Sequence, residues 1–433
     1  MYFKVFKYNI NSEIVPGPRV LENGKSLKVK FILPLNLTIL IFIIFSASLF
    51  PVEFYSTTFV LTGAFLFVMS NCRIKITCLT YIIPLILLFI IGLTGINGHE
   101  SRHILRDIIY ALTPIALFYI GYWMAEHDIK WSQIIKVLVL AAIIVAVNHL
   151  LKYIINPGLL KSGINNIRAT AVNTNINVIV LSLVFGLFQY RLQLGEFFPK
   201  FLPRTIVLAL LFLSFLLAFS RTGLLTLMIL AASTLGIIGK ANLRSILTLL
   251  ILISGFAAIV TSTPPDDIES FRGKIARSAK EIAVSDYTNL ADINNNWRGF
   301  ETYKTLSTYY SGNFVEKIAG QGFGALVDLG FVMNLAGTDF SEIPIMHNGY
   351  AYVIFKTGLI GFVCYIVFYF IILKSSLKNA KTTSKEKDSN LKLLLGFTLC
   401  LMVSMLVVGG MAEAHDSEYV LLIGFAIGQI GKY

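Results

Sequence analysis

The chain has 433 residues, of which 56% are hydrophobic and only 14% are charged. An ordinary soluble domain has about 25% charged residues, so this composition excludes a disordered chain and argues against a soluble globular enzyme. The formal net charge of +12 would suggest nucleic acid as the partner of a soluble protein. In so apolar a chain it indicates anchoring charge beside membrane spans, and no nucleic-acid partner is expected.

Apolar runs of membrane-spanning length recur along the whole chain. A spanning helix needs about 20 mostly apolar residues, and twelve segments approach that length. They cover 31–50, 55–70, 76–95, 108–125, 134–155, 172–190, 202–219, 221–238, 244–261, 348–373, 391–409 and 417–431. The pattern predicts an all-α polytopic membrane protein of about 12 transmembrane helices, with one large, partly helical loop between helices 9 and 10.

The distribution of lysine and arginine predicts the orientation of these helices. With the N-terminus in the cytoplasm, the inside segments hold 22 of these residues and the short outside loops hold five. Positive residues concentrate on the cytoplasmic side of membrane proteins, so both termini are predicted to be cytoplasmic. The chain then divides into a cytoplasmic tail (1–30), helices 1–9 (31–261), an outside loop (262–347) and helices 10–12 (348–433), with a basic cytoplasmic loop at 374–390.

The outside loop contains two local patterns. Four apolar or aromatic residues recur at helical spacing and predict an amphipathic helix near 295–310; they are Trp297, Phe300, Tyr303 and Leu306. The segment Gly320-Gln321-Gly322-Phe323-Gly324 follows and predicts a glycine-rich turn.

Arg221 interrupts a nearly continuous apolar stretch from 206 to 238. An arginine at the bilayer centre is costly, so we expect a tight turn at the outer surface, with Ser220-Arg221-Thr222-Gly223 opening the eighth helix. The free amides of a helix N-terminus and a guanidinium both favour a phosphate ligand. The alternative is an arginine that only anchors the turn.

Two further polar residues lie at the ends of the loop. Arg298 begins the amphipathic helix, and His347 lies where the loop returns to the membrane, followed by Asn348. An imidazole there can act as a base, whereas a solvated arginine and a structural histidine are the simpler interpretations.

Lys356 falls within the tenth span, so it should face a cavity or a partner rather than lipid. The asparagines of the sixth span, Asn173, Asn175 and Asn177, could face the same cavity, but interhelical hydrogen bonds are the role that we expect for them.

His99-Glu100-Ser101-Arg102-His103 fits the zinc-protease pattern HExxH. That motif requires both imidazoles on one helix face and a third ligand. Here it begins in a short loop that contains glycine, two arginines lie nearby, and no third ligand is evident. A polar loop, or a basic patch facing lipid phosphate, is the better interpretation, and no metal or cofactor is expected.

These motifs, in this order, resemble the O-antigen ligase and polymerase superfamily of bacterial envelope glycosyltransferases. The matching segments are Arg168-Ala169-Thr170 with Asn173-Thr174-Asn175, Ser220-Arg221-Thr222-Gly223-Leu224-Leu225, Arg298 with its aromatic helix, the glycine-rich turn, His347-Asn348-Gly349-Tyr350 and Thr357-Gly358-Leu359-Ile360-Gly361. Three positions depart from the family pattern: Ala171 replaces glycine, Thr174 replaces proline, and Lys356 replaces an acidic residue.

The resemblance implies a glycosyltransferase in the bacterial inner membrane with its active site facing the periplasm. It would move a glycan from an undecaprenyl-pyrophosphate donor to the hydroxyl of an acceptor sugar, with membrane lipids around it. The acceptor is lipid A core for a ligase, or a second lipid-linked glycan for a polymerase. Span count, the Arg298-to-His347 spacing and the His-Asn pair favour the ligase.

The resemblance also implies roles for individual residues. Arg221 and Arg298 would hold the donor pyrophosphate, and His347 would activate the acceptor hydroxyl in a single displacement that inverts the anomeric centre without a metal. The predicted substrate contacts are Arg168, Asn348, Gly322, Gly324 and Lys356.

Two alternatives from other classes are a transporter or flippase and a zinc protease; a protein-targeting oligosaccharyltransferase is a minor third. Transporters of this size commonly have two related halves, but this chain shows no internal repeat, and its longest loop follows span nine.

Overall fold

The computed structural model describes residues 35–161, 167, 170, 174–198, 203–238, 293, 296–335, 338–377, 384–414 and 416–432. The predicted N-terminal tail (1–30), the ninth span (244–261), the first part of the outside loop (262–292) and Arg168 lie outside these ranges. The basic loop at 374–390 is described except for 378–383.

Helices make up most of the described chain. Fourteen α-helices are present in the described ranges: α1 Leu35–Leu49, α2 Val52–Met69, α3 Ile76–Leu93, α4 Ser101–Glu126, α5 Trp131–Ile155, α6 Ile176–Leu187, α7 Gln189–Leu192, α8 Arg204–Leu217, α9 Arg221–Thr234, α10 Trp297–Ser311, α11 Phe314–Ala319, α12 Gly349–Leu377, α13 Lys385–Val407 and α14 Ser417–Ile430. Short 3₁₀ helices cover Pro157–Lys161 and Gly410–Glu413.

The prediction of an all-α polytopic membrane protein is confirmed. Six described helices are long and apolar enough to cross a bilayer: α2, α3, α4, α5, α12 and α13. Five shorter apolar helices coincide with other predicted spans: α1, α6, α8, α9 and α14. The total of twelve spans stays a prediction, because the ninth lies outside the described ranges.

The outside loop contains a β-hairpin that the sequence analysis did not predict. Strands β1 (Val327–Leu335) and β2 (Thr338–Ile343) pair antiparallel, with Val327 opposite Ile343. Along β1, Val327, Leu329 and Met333 are buried, whereas Val332 is 67% exposed. This alternation has the period of two that is typical of a strand with one buried face. The same pattern of apolar residues in the sequence could have predicted the strand.

The helix bundle packs around α14, which is buried along nearly its whole length. Glycines let α14 and α4 approach closely: a Cβ on Gly121 would lie 2.0 Å from the Leu421 carbonyl oxygen, and one on Gly424 would lie 2.1 Å from that of Phe118. Small residues allow such close packing between membrane helices. The close packing of α14 on α4 therefore fixes the position of the residues at the N-terminus of α14.

Helix α12 is broken at Gly358, whose φ of 62° and ψ of −167° are not helical. The residues from Gly349 to Thr357 form a first segment, and those from Leu359 to Leu377 form a second. The break frees backbone carbonyls, and the glycine-rich turn satisfies two of them: Gln321 N donates to Phe355 O at 3.0 Å, and Gly322 N donates to Lys356 O at 2.9 Å. Irregular backbone at a membrane surface persists only when its polar groups are satisfied in this way.

Candidate active site

The predicted site residues that the structure describes lie on the side of the helix bundle that carries residues 296–347, which we name the loop face. The N-terminal ends of several helices meet here. The Asn175 side chain at the start of α6 donates to Glu418 of α14 at 2.6 Å, and Asn177 donates to Asp416 at 2.9 Å. These two asparagines thus form the hydrogen bonds between elements that their position in the sixth span predicted, and Asn173 lies outside the described residues.

His347 forms a close pair with Glu301 of α10. Its Nδ1 lies 2.7 Å from Glu301 Oε2, and its backbone N–H donates to the same oxygen at 3.3 Å. The Glu301 side chain is 4% exposed, whereas that of His347 is 44% exposed. A carboxylate accepts hydrogen bonds, so in the neutral imidazole Nδ1 carries the proton and Nε2 carries the lone pair that can accept one. This is the arrangement that a histidine base requires.

The backbone around His347 is held from three directions. Gly409 N donates to His347 O at 2.6 Å, and Met346 N donates to the buried Glu413 carboxylate at 3.0 Å. Asn348 Oδ1 accepts from the backbone N–H groups of Tyr350 and Ala351, both at 3.1 Å. Asn348 therefore caps α12, and its contact with substrate stays a prediction.

Arg298 is the second residue of α10 and lies one helical turn before Glu301. Residues three apart share a helix face, so Arg298 is on the side of α10 that carries Glu301. The helix is fixed by its buried Phe300, whose ring lies 5.7 Å from that of Phe331 in β1. The amphipathic helix predicted near 295–310 is present at Trp297–Ser311.

Arg221 is the first residue of α9, as the tight-turn interpretation predicted. Ser220 caps the helix by accepting from Gly223 N at 3.0 Å. A Cβ on Gly223 would lie 2.7 Å from Ile176 Cγ2, so the N-termini of α9 and α6 pack closely. Asn175, next to Ile176, is bonded to Glu418 of α14, so the N-termini of α9, α6 and α14 lie together at the loop face.

The glycines of the 320–324 turn pack closely against other parts of the protein. A Cβ on Gly322 would lie 2.3 Å from the carbonyl carbon of Gly95, and one on Gly324 would lie 2.6 Å from Ile104 Cγ1. Both residues have positive φ, 85° and 93°. The close contacts of Gly322 and Gly324 are with α4 and the segment between α3 and α4, and a direct contact with substrate stays a prediction.

Lys356 is fully buried, and its ammonium donates to Asp107 Oδ2 at 2.6 Å and to the Ala325 carbonyl. The same Asp107 oxygen accepts from Gly324 N at 2.8 Å. The pair joins the first segment of α12, the glycine-rich turn and α4. This geometry supports a structural role for Lys356 more than the predicted contact with substrate.

The HExxH segment is divided between a turn and a helix. His99 precedes α4, and its Nε2 lies 3.0 Å from Gln321 O, whereas His103 is within α4 and its Nε2 lies 3.1 Å from Glu100. The two imidazoles thus contact different elements, which does not fit the zinc-protease pattern. Arg106, one turn further on, reaches the Pro344 carbonyl at 3.4 Å, so α4 adds a guanidinium near the chain that leads to His347.

Sequence reasoning missed Glu301, Asp107 and Glu413. Glu301 had a signal, since it follows Arg298 by one turn on a predicted helix. Asp107 lies at the edge of a predicted span, where a charged residue requires a partner. Lys356 also requires a partner, but no local sequence pattern indicates that the two residues pair. Arg168 lies outside the described residues. Two residues further on, the Thr170 hydroxyl forms a hydrogen bond of 2.6 Å with the Tyr153 hydroxyl.

Residues 206–366 match the family model described as O-antigen ligase. The matched segment begins in α8, ends in α12, and includes Arg221, Arg298, Glu301 and His347. Over this segment the match confirms the superfamily resemblance, and it supports a membrane glycosyltransferase of the O-antigen ligase or polymerase type. A comparison of the chain with curated proteins gives no match.

Proposed function

We propose that this protein is an O-antigen ligase, which transfers a glycan from an undecaprenyl-pyrophosphate donor to a sugar hydroxyl of lipid A core. The loop face is then the periplasmic face of the inner membrane, and both termini are cytoplasmic. The observation that carries the proposal is the pair of His347 and Glu301, one helical turn from Arg298, within the segment that matches the family model.

The chemistry follows from the orientation of His347. With Nδ1 donating to Glu301, Nε2 takes the proton of the acceptor hydroxyl as the oxygen attacks the anomeric carbon. The bond from that carbon to the pyrophosphate oxygen breaks, and undecaprenyl pyrophosphate leaves. Attack opposite to the leaving group inverts the anomeric centre. A positioned general base contributes about 10²–10⁴-fold to such a step.

The leaving diphosphate requires positive charge that is in place before the reaction. Arg221 opens α9, where the free N–H groups of the helix start and the positive helix end also favour an anion. Arg298 supplies a second guanidinium on the helix that carries Glu301. Fixed donors of this kind stabilise developing charge, so we propose a mechanism that needs no metal.

The test is complementation followed by lipopolysaccharide gels. In a ligase-null strain, the native chain should restore bands of lipid A carrying O-antigen, and Arg221→Ala, Arg298→Ala and His347→Ala should each abolish them while the protein is still inserted. Lys304→Ala is a matched control, since it removes a cation of α10 whose ammonium lies over the Phe300 ring and beside Gly330 of β1.

A polymerase gives a different pattern. In a polymerase-null strain it would convert single-repeat bands into a ladder, and that result without ligase complementation would replace our assignment by the polymerase. Normal activity of all three variants would refute the proposed site.

A further inference from the structure

An exposed apolar surface lies on the short helix α11, away from the proposed site. Phe314 is 78% exposed, Val315 is 68% exposed, and Tyr310 at the end of α10 is 67% exposed. We name these three residues the α11 patch. Exposed aromatic and aliphatic side chains in one cluster mark an interaction surface.

The position of α11 relative to the bilayer follows from two helix lengths. The second segment of α12, from Leu359 to Leu377, is about 28 Å long at 1.5 Å per residue, close to the ~30 Å hydrocarbon core. Gly358 therefore lies at the membrane boundary on the loop face. Helix α3 has 18 residues, and a Cβ on Gly92 at its end would meet the ring of Phe323 at 2.2 Å. Both spans place the glycine-rich turn at this boundary.

Helix α11 contacts the same boundary directly. A Cβ on Gly358 would lie 2.4 Å from Ile318 O. Val315 and Phe314 precede Ile318 by three and four residues, or about 4.5 and 6 Å of helix rise. The headgroup layer on each side of the core is about 5–7 Å thick. The α11 patch therefore lies in or beside the headgroup layer for any tilt of the helix.

A surface that faces lipid begins at the same level of the molecule. Leu359, Ile360 and Val363, at the start of the second α12 segment, are 46–50% exposed. Aromatic side chains at this level of a membrane protein form interfacial belts. The helix is also firmly oriented, because Asn313 and Glu316 form a capping box at its start and the buried Tyr309 hydroxyl donates to Lys317 O at 2.8 Å.

We propose that α11 is an interfacial membrane anchor, with the α11 patch inserted between the phospholipid headgroups of the leaflet on the loop face. Because Tyr309 ties α11 to α10, the anchor fixes the height of Arg298 and Glu301 above that leaflet. In the proposed function, this is the height at which the donor diphosphate would bind. The inference rests on helix lengths and exposure, and it does not depend on which reaction the site performs.

Tryptophan quenching by brominated phospholipids tests the proposal. Phe314→Trp and Val332→Trp are compared in proteoliposomes of phosphatidylcholine brominated near the top of its acyl chains, each after subtraction of the native emission. Val332 is a matched control, since it is 67% exposed in the same loop but belongs to a hairpin with exposed Asp328 and Glu342.

We expect quenching at position 314 to be at least twofold greater than at position 332, with emission at shorter wavelength. Equal or weaker quenching at position 314 would overturn the proposal. Val315→Trp gives a second reading if Phe314→Trp fails to fold. The measurement does not use transfer activity, so its failure would leave the proposed function untouched, and the reverse also holds.

Discussion

The pairing of Glu301 with His347 gives the sharpest prediction about catalysis. Glu301→Gln retains the shape of the side chain but replaces a charged acceptor by a neutral one. A hydrogen bond to a charged group contributes about 1.5–3 kcal/mol and a neutral one about 0.5–1.5 kcal/mol. The loss is then about 1–1.5 kcal/mol, and we expect transfer to slow about tenfold. Glu301→Ala removes the bond and should slow transfer about 10²-fold.

The assay is transfer of glycan from purified lipid-linked donor to lipid A core in proteoliposomes, with initial rates measured at saturating donor. The decisive comparison repeats both substitutions in a His347→Ala background, whose residual rate, about 10²–10⁴-fold lower without the general base, gives no bands in cells but is measured with purified components. If Glu301 acts only by orienting the imidazole, it has no further effect once the imidazole is gone, because residues that act as a unit are not additive.

Glu316→Gln is the control, since Glu316 lies in the same loop and glutamine retains its capping box. A loss for Glu301→Gln that is as large in the His347→Ala background as in the native chain would refute the orienting role. Such a result would indicate that Glu301 supports α10 rather than the base.

Three further predictions concern the fold and the leaving group. Lys356→Met should destabilise the protein by about 3 kcal/mol, the lower end of the range for breaking a buried ion pair, because Asp107 keeps its bonds from Arg106 and Gly324. Adding Asp107→Asn should restore most of the melting temperature. An unchanged melting temperature in Lys356→Met would contradict the pairing. Gly322→Ala should lower the melting temperature much more than Gly98→Ala, since both have positive φ but only at Gly322 would a Cβ meet backbone; equal effects would show that conformation alone matters. Transfer should continue in excess EDTA, and complete inhibition that a divalent ion reverses would contradict the metal-free mechanism.

The amino-acid sequence by itself determined the membrane class of the protein and the approximate position of most helices. Each span is a local property, since about 20 apolar residues must satisfy their own backbone hydrogen bonds in lipid. The turn at Ser220 and Arg221 was equally local, because a charged residue in an apolar run has few places to lie. The family motifs around Arg298 and His347 also identified the segment that the family model matches.

Helix ends were less well determined. The fourth span was expected to begin at 108, but α4 begins at Ser101, because polar residues can extend a helix beyond the hydrocarbon core. The break at Gly358 was not foreseen, since a glycine in an apolar run breaks a helix only when another segment accepts the freed carbonyls. That segment, the glycine-rich turn, lies more than thirty residues earlier in the chain.

Only the tertiary structure decided which charged residues pair. Glu301 and His347 are 46 positions apart, and Lys356 and Asp107 are 249 apart. No local pattern encodes such a pairing, because it depends on how helices from distant parts of the chain pack against each other. The tertiary structure thus joins Lys356 to a buried ion pair and gives His347 a carboxylate partner, which the order of residues alone could not specify.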